Sequence, residues 1–235
     1  MLRPFLLERP VPISSLRRKL ISAVGLGLLL SGCAWPAGSG LNVEQHLARA
    51  DALVEQRDYL GAAEAVGRAS RQRPGGIALY LRQGELLEAA GRPEAARKAY
   101  QRGLEEEGGD LAEKKELHYR LFLLLALKLA DAEGAKLLLG QLPAGSPRYL
   151  DAQGVLAYVG GHLQEALLFF EQARDATADQ DLRARVLYHT ALAYERSGDS
   201  DLARLALFHA VNQAQSLGVR KDIERFFSRL QAPNP

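Results

Sequence analysis

Two helical patterns joined by a three-residue turn are the feature that most constrains how this chain folds. Apolar residues recur at helical spacing over residues 80–90 and again over residues 94–104. Gly91 and Pro93 lie between them, and glycine typically ends a helix whereas proline suits the first position of the next. The sequence therefore predicts two helices folded back on each other. A hairpin this small cannot bury its own apolar face, so it requires neighbours of the same kind.

Such neighbours are present along the chain. The second helix of each hairpin opens with an alanine in a comparable position, and the first two of these alanines, Ala62 and Ala96, are 34 residues apart. The corresponding alanines of all five hairpins are Ala62, Ala96, Ala135, Ala166 and Ala203. The later intervals are 39, 31 and 37 residues, and we expect the differences in length to fall in loops near residues 105–110 and 177–181.

The five hairpins resemble the tetratricopeptide repeat (TPR) family, whose repeat period is 34 residues. The matching positions are a small residue on the first helix, a glycine turn, and then an alanine and an aromatic residue on the second helix. The second and fourth hairpins carry these as Gly84, Gly91, Ala96, Tyr100 and Gly154, Gly161, Ala166, Phe170. The third hairpin, from Tyr119 to Pro147, is the weakest match. An unrelated all-helical bundle is the alternative.

The resemblance implies the fold class and the domain limits. It implies an all-α, right-handed superhelical TPR solenoid of about five helical hairpins over residues 42–217. A capping helix and tail follow over residues 218–235. Gly84 and Gly154 lie inside helices, where glycine costs about 1 kcal/mol relative to alanine, and close packing of the two helices explains them. We expect both positions to tolerate alanine but not leucine.

The last helical pattern, over residues 221–230, has one apolar side. The residues on that side are Ile223, Phe226, Phe227 and Leu230, together with Val219 just before the pattern, whereas Lys221 and the other charged residues lie opposite. A solenoid needs a terminal element with a polar outer face, and this helix fits that requirement. An amphipathic helix that binds a partner protein is the other interpretation, and the sequence leaves both open.

Residues 1–32 are typical of an export signal. A basic run at residues 17–19 precedes an apolar segment over residues 20–30, which is shorter than the roughly 20 residues that span a bilayer. The segment ends in Leu30-Ser31-Gly32-Cys33, which resembles the lipobox of bacterial lipoproteins. The resemblance implies cleavage before Cys33 and acylation of that residue. The alternative, that Cys33 is a small buried hydrophobic residue, fits poorly because it lies outside every repeat.

The segment after the predicted cleavage site indicates where the protein resides. Residues 33–41 are rich in glycine and serine, so they are expected to form a flexible tether behind the lipidated cysteine. By resemblance to bacterial lipoproteins, an aspartate after the cysteine would favour retention in the inner membrane. Ala34 occupies that position here. The sequence therefore predicts a lipid anchor on the periplasmic face of the outer membrane.

The net charge argues against nucleic acid as a partner. The whole chain carries +2, and the five basic residues and Glu8 in residues 1–32 contribute +4 of it, which leaves +2 − 4 = −2 after cleavage. A weakly acidic protein has no overall attraction to phosphate backbones.

The sequence contains no motif that indicates catalysis or a bound cofactor. No two histidines are spaced four residues apart with an acidic residue between them, as a zinc protease requires. Gly75 and Gly76 are not followed by the lysine of a phosphate-binding loop, and no Gly-x-Ser-x-Gly motif is present. We expect a protein that is not an enzyme and that holds neither a cofactor nor a metal ion.

The resemblance to TPR proteins implies a concave groove lined by the first helix of each hairpin. By that register the groove residues are Leu81, Glu85, Arg120, Leu124, Leu127, Val155, Tyr158, Tyr188 and Leu192. The apolar members lie in the middle. The expected charged margins are Glu85, Glu88, Arg120, Arg148, Arg185 and Arg196. An apolar strip with a charged rim suits an amphipathic partner helix. The alternative is that these side chains pack on one another or on the last helix as core.

Two classes of function follow from the resemblance. Small TPR lipoproteins include pilotins, which bind a secretin subunit and bring it to the outer membrane in Flp/Tad or type IV pilus assembly. The chain is most similar to that group, so its expected partner is an amphipathic helix or C-terminal segment of a secretin or another envelope protein. The alternative is a scaffold subunit of outer-membrane barrel assembly or of a peptidoglycan-enzyme complex.

Overall fold

The computed structural model describes residues 40–73 and 76–231, with side chains described as far as Arg229. The predicted signal segment, Cys33 and most of the tether lie outside the described residues. Eleven helices form the described part of the chain. They are α1 (Val43–Glu55), α2 (Tyr59–Gln72), α3 (Ile77–Ala89), α4 (Pro93–Glu105), α5 (Leu111–Leu127), α6 (Ala132–Leu139), α7 (Pro147–Val159), α8 (Leu163–Ala176), α9 (Gln180–Ser197), α10 (Ser200–Gln213) and α11 (Leu217–Gln231).

The helices pair into five consecutive hairpins, from α1–α2 to α9–α10, and α11 follows them. The second helix of one hairpin packs on the first helix of the next, as α2 does on α3, α4 on α5 and α8 on α9. The described residues contain no strand. The predicted fold class, an all-α solenoid of five helical hairpins with a further C-terminal helix, is confirmed.

Local sequence explains the turns between paired helices. Gly91 and Gly198 follow α3 and α9 with φ angles of 70° and 90°, a left-handed conformation that glycine adopts without steric cost. At the start of α2 the Asp58 side chain accepts a hydrogen bond from the backbone N–H of Gly61 at 2.9 Å. Pro93 opens α4 in the position where a missing N–H costs least. Each hairpin bend is therefore encoded within a few residues of itself.

Close packing inside the hairpins corrects one expectation. A Cβ atom added at Gly154 would lie 2.5 Å from the ring of Phe170, and one added at Gly84 would overlap the ring of Tyr100 even more. Both rings are fully buried. The expectation that these positions tolerate alanine is wrong, because each aromatic ring occupies the space of the missing methyl group.

The third hairpin forms the centre of the core. Its first helix, α5, is 17 residues long, whereas α6 has only eight, which accounts for the weak sequence match. Every residue from Tyr119 to Ala126 is buried. This part of α5 is therefore a helix buried on nearly all sides.

The last helix turns into the concave side of the solenoid. It begins at Leu217, four residues before the predicted start, and packs against α3 and α9 as well as α10. Because α11 does not cover the outer side of α10, that side stays exposed. Its exposed large apolar residues are Leu202, Leu205, Phe208 and Val211, which retain 45–60% of their accessible surface.

Candidate functional site

The candidate site is the groove formed by the first helices of the hairpins. The structure places the predicted groove residues at different depths. Leu124 and Val155 are completely buried, and Arg120 and Leu192 are buried to 4% and 7% exposure. Leu81, Glu85, Leu127, Tyr158 and Tyr188 are partly buried.

The register of the groove is corrected at five positions. Leu124 and Val155 belong to the hydrophobic core, so they offer no surface to a partner. Arg120 was expected on the charged margin, but it lies inside, where acidic side chains from α3 neutralise it. Glu88 and Arg185, also expected at the margins, are 7% and 6% exposed. Of the other expected margin residues, Glu85 and Arg148 are partly buried and Arg196 is exposed.

The apolar side of α11 fills the groove. Val219, Ile223 and Phe226 on that side are at most 2% exposed. The ring of Phe226 packs edge-on against the ring of Tyr188, with centroids 6.1 Å apart and an interplanar angle of 90°. Tyr188 therefore packs on the chain's own last helix, which is the core packing that the sequence left open as an alternative.

Polar contacts hold α11 at the ends of α3 and α5. The Asp222 carboxylate lies 2.9 Å from the ammonium group of Lys128. Arg225 Nη2 donates hydrogen bonds to the backbone carbonyls of Glu88 and Ala89, at 3.0 and 2.8 Å. These two carbonyls belong to the last turn of α3, where carbonyl groups lack a partner within the helix. The contacts fix the position of α11 along the groove.

The segment that leads into α11 is fixed by Asp181 on α9. Its carboxylate accepts backbone N–H hydrogen bonds from Gln215 and Ser216, at 2.9 and 2.8 Å. Burial raises the pKa of Asp181, but the hydrogen bonds and the Arg185 guanidinium outweigh burial and lower it below its ordinary value. The charged carboxylate thus directs the chain from the end of α10 back toward the groove.

A buried ion-pair network connects α3, α4 and α5 beneath α11. Glu88 accepts a hydrogen bond of 2.5 Å from the Tyr100 hydroxyl, and its oxygens lie 3.2 Å from Arg120 Nη2 and 2.9 Å from Lys128 Nζ. Burial alone would raise the pKa of Glu88, but Arg120, Lys128 and Tyr100 lower it to about 2. Glu88 is therefore held as a carboxylate.

A second buried network connects α5, α7 and α9. Asp151, which is completely buried, accepts a hydrogen bond of 2.6 Å from the Tyr119 hydroxyl, and its other oxygen lies 2.9 Å from His189 Nδ1. Burial and the Asp151 charge raise the pKa of Tyr119 well above its ordinary value. Both buried carboxylates are thus engaged in contacts between helices.

These buried pairs were not foreseen, although the sequence carries a signal for them. Glu88 and Arg120, Glu116 and Arg148, and Tyr119 and Asp151 are each 32 residues apart. That distance is close to one repeat, so the partners occupy neighbouring positions on consecutive first helices. A search for complementary polar residues one repeat apart finds them.

A cavity of about 480 Å³ remains between α11 and the wall of the groove. It is lined by five of the predicted groove residues: Arg120, Leu127, Tyr158, Tyr188 and Leu192. Leu81 lies apart from them, in a second depression beside Arg148 and Asp181. The described residues contain no group of three His, Cys, Asp or Glu side chains placed to bind a metal ion. Within the same part of the chain, no helix combines the length and the apolarity needed to cross a bilayer.

The fold and the groove define a TPR-type solenoid whose concave side already holds one helix. Solved structures of similar fold include the APC/C hetero-tetramer Cut9–Hcn1, with a TM-score of 0.55 and 16% identity over 81% of this chain and 37% of that chain. MamA (41-end) from Desulfovibrio magneticus RS-1 matches with a TM-score of 0.48 and 14% identity over 73% of this chain and 94% of that chain. YrrB, described as a TPR protein with an unusual peptide-binding site, matches with a TM-score of 0.42 and 16% identity, over 77% and 91% of the two chains.

At these identities the likeness concerns the fold alone. No protein-family model matches the chain, and no curated protein sequence matches it. The function is therefore argued from the groove itself.

Proposed function

We propose that this protein is a non-enzymatic adaptor of the bacterial envelope that binds an amphipathic helix of a partner protein in its groove. One observation carries the proposal: the groove already accommodates an amphipathic helix, α11, with its apolar side inward. A surface that fits one such helix suits a partner helix of the same pattern, which is a common mode of peptide recognition.

The contacts of α11 describe the partner that fits. Its buried residues Val219, Ile223 and Phe226 have the spacing i, i+4, i+7, so the partner helix carries large apolar residues at those positions. It carries an acidic residue opposite Lys128 and a basic residue opposite the last carbonyls of α3, as Asp222 and Arg225 do in α11. The partner helix takes the place of α11, so α11 leaves the groove when the partner binds.

The finer assignment rests on the N-terminal sequence. Leu30-Ser31-Gly32-Cys33 resembles a lipobox and supports lipidation of Cys33, and Ala34 supports transfer to the periplasmic face of the outer membrane. A groove on a lipid tether at that membrane is suited to escort an outer-membrane subunit. We therefore assign a pilotin-like role in secretin or pilus assembly, with a C-terminal segment of the secretin as the partner helix.

The test fixes α11 in the groove by cross-linking. Lys128→Cys and Asp222→Cys, in a Cys33→Ser background, place two thiols where the ion pair now lies, and a short bis-maleimide joins them. A fluorescent peptide with the sequence of the C-terminal segment of a secretin from the same bacterium is the probe. We expect the uncross-linked protein to bind the peptide at least tenfold more tightly than the cross-linked one.

Each single-cysteine variant is the control, and its affinity for the peptide should be the same before and after treatment with the reagent. Equal binding by the cross-linked protein would show that the peptide does not occupy the position of α11. Absence of binding by the uncross-linked protein would overturn the secretin assignment.

A scaffold subunit of barrel assembly or of a peptidoglycan-enzyme complex is the second candidate. The apolar row on α10, formed by Leu202, Leu205, Phe208 and Val211, favours it, because the row provides a second contact surface away from the groove. Under this candidate Phe208→Glu removes the protein from its complex without affecting binding in the groove. His209→Glu, on the same exposed side of α10, is the matched control.

A further inference from the structure

The cavity beneath α11 carries an excess of positive charge. Five basic and two acidic side chains line it. The basic ones are Arg120, Lys128, Arg185, Arg225 and Arg229, and the acidic ones are Glu88 and Asp222. The excess lies in a concave space partly enclosed by protein, so an anion placed there interacts with these charges more strongly than at a flat surface.

Arg185 is nearly buried and only weakly paired. It is 6% exposed, its guanidinium lies over the Tyr119 ring at 5.6 Å from the centroid, and within the described residues it makes no hydrogen bond. Its one acidic neighbour is Asp181 at 3.5 Å, and that carboxylate also accepts two backbone N–H groups. A guanidinium has five N–H donors, and buried donors are nearly always paired. Arg185 therefore retains unused capacity to bind an anion.

Arg120, on α5, also lacks a full set of hydrogen-bond partners, although it has two acidic neighbours where Arg185 has one. It is 4% exposed, and Glu88 and Glu85 neutralise its Nη2 at 3.2 and 3.5 Å. Its Nε, like that of Arg185, is buried without a hydrogen-bond partner. Two nearly buried guanidiniums on α5 and α9 thus line one cavity.

Leucine side chains line the cavity further along the two helices, beside Lys128. Leu127 on α5 and Leu192 on α9 each lie seven residues beyond the arginine of the same helix, which is about 10 Å of helix. Tyr158 and Tyr188 add two rings to the lining. The cavity volume of about 480 Å³ is within the range of sites for small organic ligands. Arg225 and Arg229 are exposed, so the cavity opens to solvent beside α11.

We propose that this cavity binds a small amphipathic carboxylate. The carboxylate lies between Arg120 and Arg185, where it accepts hydrogen bonds from their terminal Nη–H groups, and the apolar part of the ligand extends toward Leu127 and Leu192. Because the ligand lies beneath α11 and contacts it, it binds with α11 in place and stabilises the closed groove. This site is independent of the identity of the protein partner.

The test is thermal unfolding of the full chain with a series of straight-chain carboxylates from butanoate to decanoate. The matched primary alcohols and inorganic phosphate are the comparison probes. At a concentration of ten times Kd, a binding carboxylate is expected to raise Tm by about 3–6 °C. The alcohols and phosphate should leave Tm unchanged, since neither combines a negative charge with an apolar chain.

Variants locate the site. Arg185→Gln should weaken carboxylate binding at least tenfold, whereas Arg185→Lys, which keeps the charge but not the planar pair of donors, should retain part of it. Arg204→Gln, an exposed arginine on α10, is the matched control and should bind as the unmodified chain does. If Arg185→Gln fails to fold, Leu127→Trp fills the part of the cavity lined by the leucines and should also abolish binding.

The carboxylate belongs either to a free acid or to the last residue of a peptide. A tripeptide ending in leucine, tested both as the free acid and as the C-terminal amide, separates these two sources. If the free acid binds and Arg185→Gln abolishes its binding, the ligand is the carboxyl end of a peptide chain. The proposal is overturned if no carboxylate raises Tm, if alcohols or phosphate act as strongly, or if Arg185→Gln and Leu127→Trp bind as well as the unmodified chain.

Discussion

The ammonium group of Lys128 lies 2.9 Å from the carboxylate of Asp222, a residue 94 positions further along the chain. The same ammonium group lies 2.9 Å from the buried carboxylate of Glu88. One lysine at the end of α5 therefore joins α3, in the second hairpin, to α11 at the other end of the chain. The contact holds α11 in the groove, so a substitution at Asp222 tests whether α11 can leave it.

Asp222→Lys should loosen α11 while the five hairpins stay folded. The substitution replaces an attraction to Lys128 and Arg225 by repulsion, whereas the packing between hairpins is untouched. We expect backbone amides of residues 217–229 to exchange with solvent about tenfold faster, which corresponds to ~1.4 kcal/mol. Hydrogen–deuterium exchange with mass spectrometry measures this. Asp201→Lys, at a fully exposed site on α10, controls for the change in net charge, and equal protection of α11 in both variants would contradict the argument.

Gly84→Ala and Gly154→Ala should each destabilise the protein by about 1–3 kcal/mol, the usual cost of overpacking a core. The added methyl group would overlap the buried ring of Tyr100 or Phe170. For a chain of this size the loss corresponds to a decrease in Tm of roughly 2–4 °C per kcal/mol, which calorimetry resolves. Gly40→Ala is the control, because no atom lies within 4 Å of the added group. An unchanged Tm for both helix variants would mean that the hairpins are less tightly packed than described.

Acid should destabilise the fold through Glu88. The pKa of this carboxyl is about 2 in the folded protein and 4.5 when free. At pH values between about 2 and 4.5, the folded protein therefore binds fewer protons at Glu88 than the unfolded chain does. The stabilisation is fully present above pH 4.5 and is lost as the pH falls toward 2, and it amounts to about 3 kcal/mol.

Urea unfolding at pH 6 and pH 3 measures this loss. Glu88→Gln should be less stable at pH 6, because Arg120 and Lys128 lose their buried counterion, and its stability should depend less on pH. Glu133→Gln, which changes an exposed carboxylate on α6, should keep the original pH dependence. An equally steep dependence in Glu88→Gln would assign the acid sensitivity to other carboxylates.

Lipidation of Cys33 stays a prediction from sequence. Mass spectrometry of the membrane-extracted protein should show an N-terminal acylated Cys33 and no residue before it. Cys33→Ser should leave the signal segment uncleaved and the protein mislocalised. Ser31→Ala serves as the control, since it keeps a small residue before the cleavage site and the cysteine itself. A mature chain that begins at Met1 would end the assignment.

The candidate site was predictable in part. The TPR register identified Leu127, Tyr158, Tyr188 and Leu192 as residues of one concave surface, and these four do line one cavity. It also assigned Leu124 and Val155 to that surface, but both are core residues. A helical period of 3.6 residues tells which side of a helix a residue occupies, but the depth at which a neighbouring helix covers it depends on the packing distance between the helices.

The sequence by itself determined the hairpins, their number and their turns. Gly91, Pro93 and Asp58 act within a few residues of their own position, so their effect does not depend on the rest of the fold. Only the tertiary structure decided where α11 lies and which charges are buried. Arg120 and Glu88 are stable in the interior because each neutralises the other across 32 residues, and Asp222 meets Lys128 across 94. An amphipathic pattern specifies only that a helix has an apolar side. Whether that helix covers α10 or fills the groove depends on which surface offers both apolar contact and partners for the charges of the helix. That surface exists only after the hairpins have stacked.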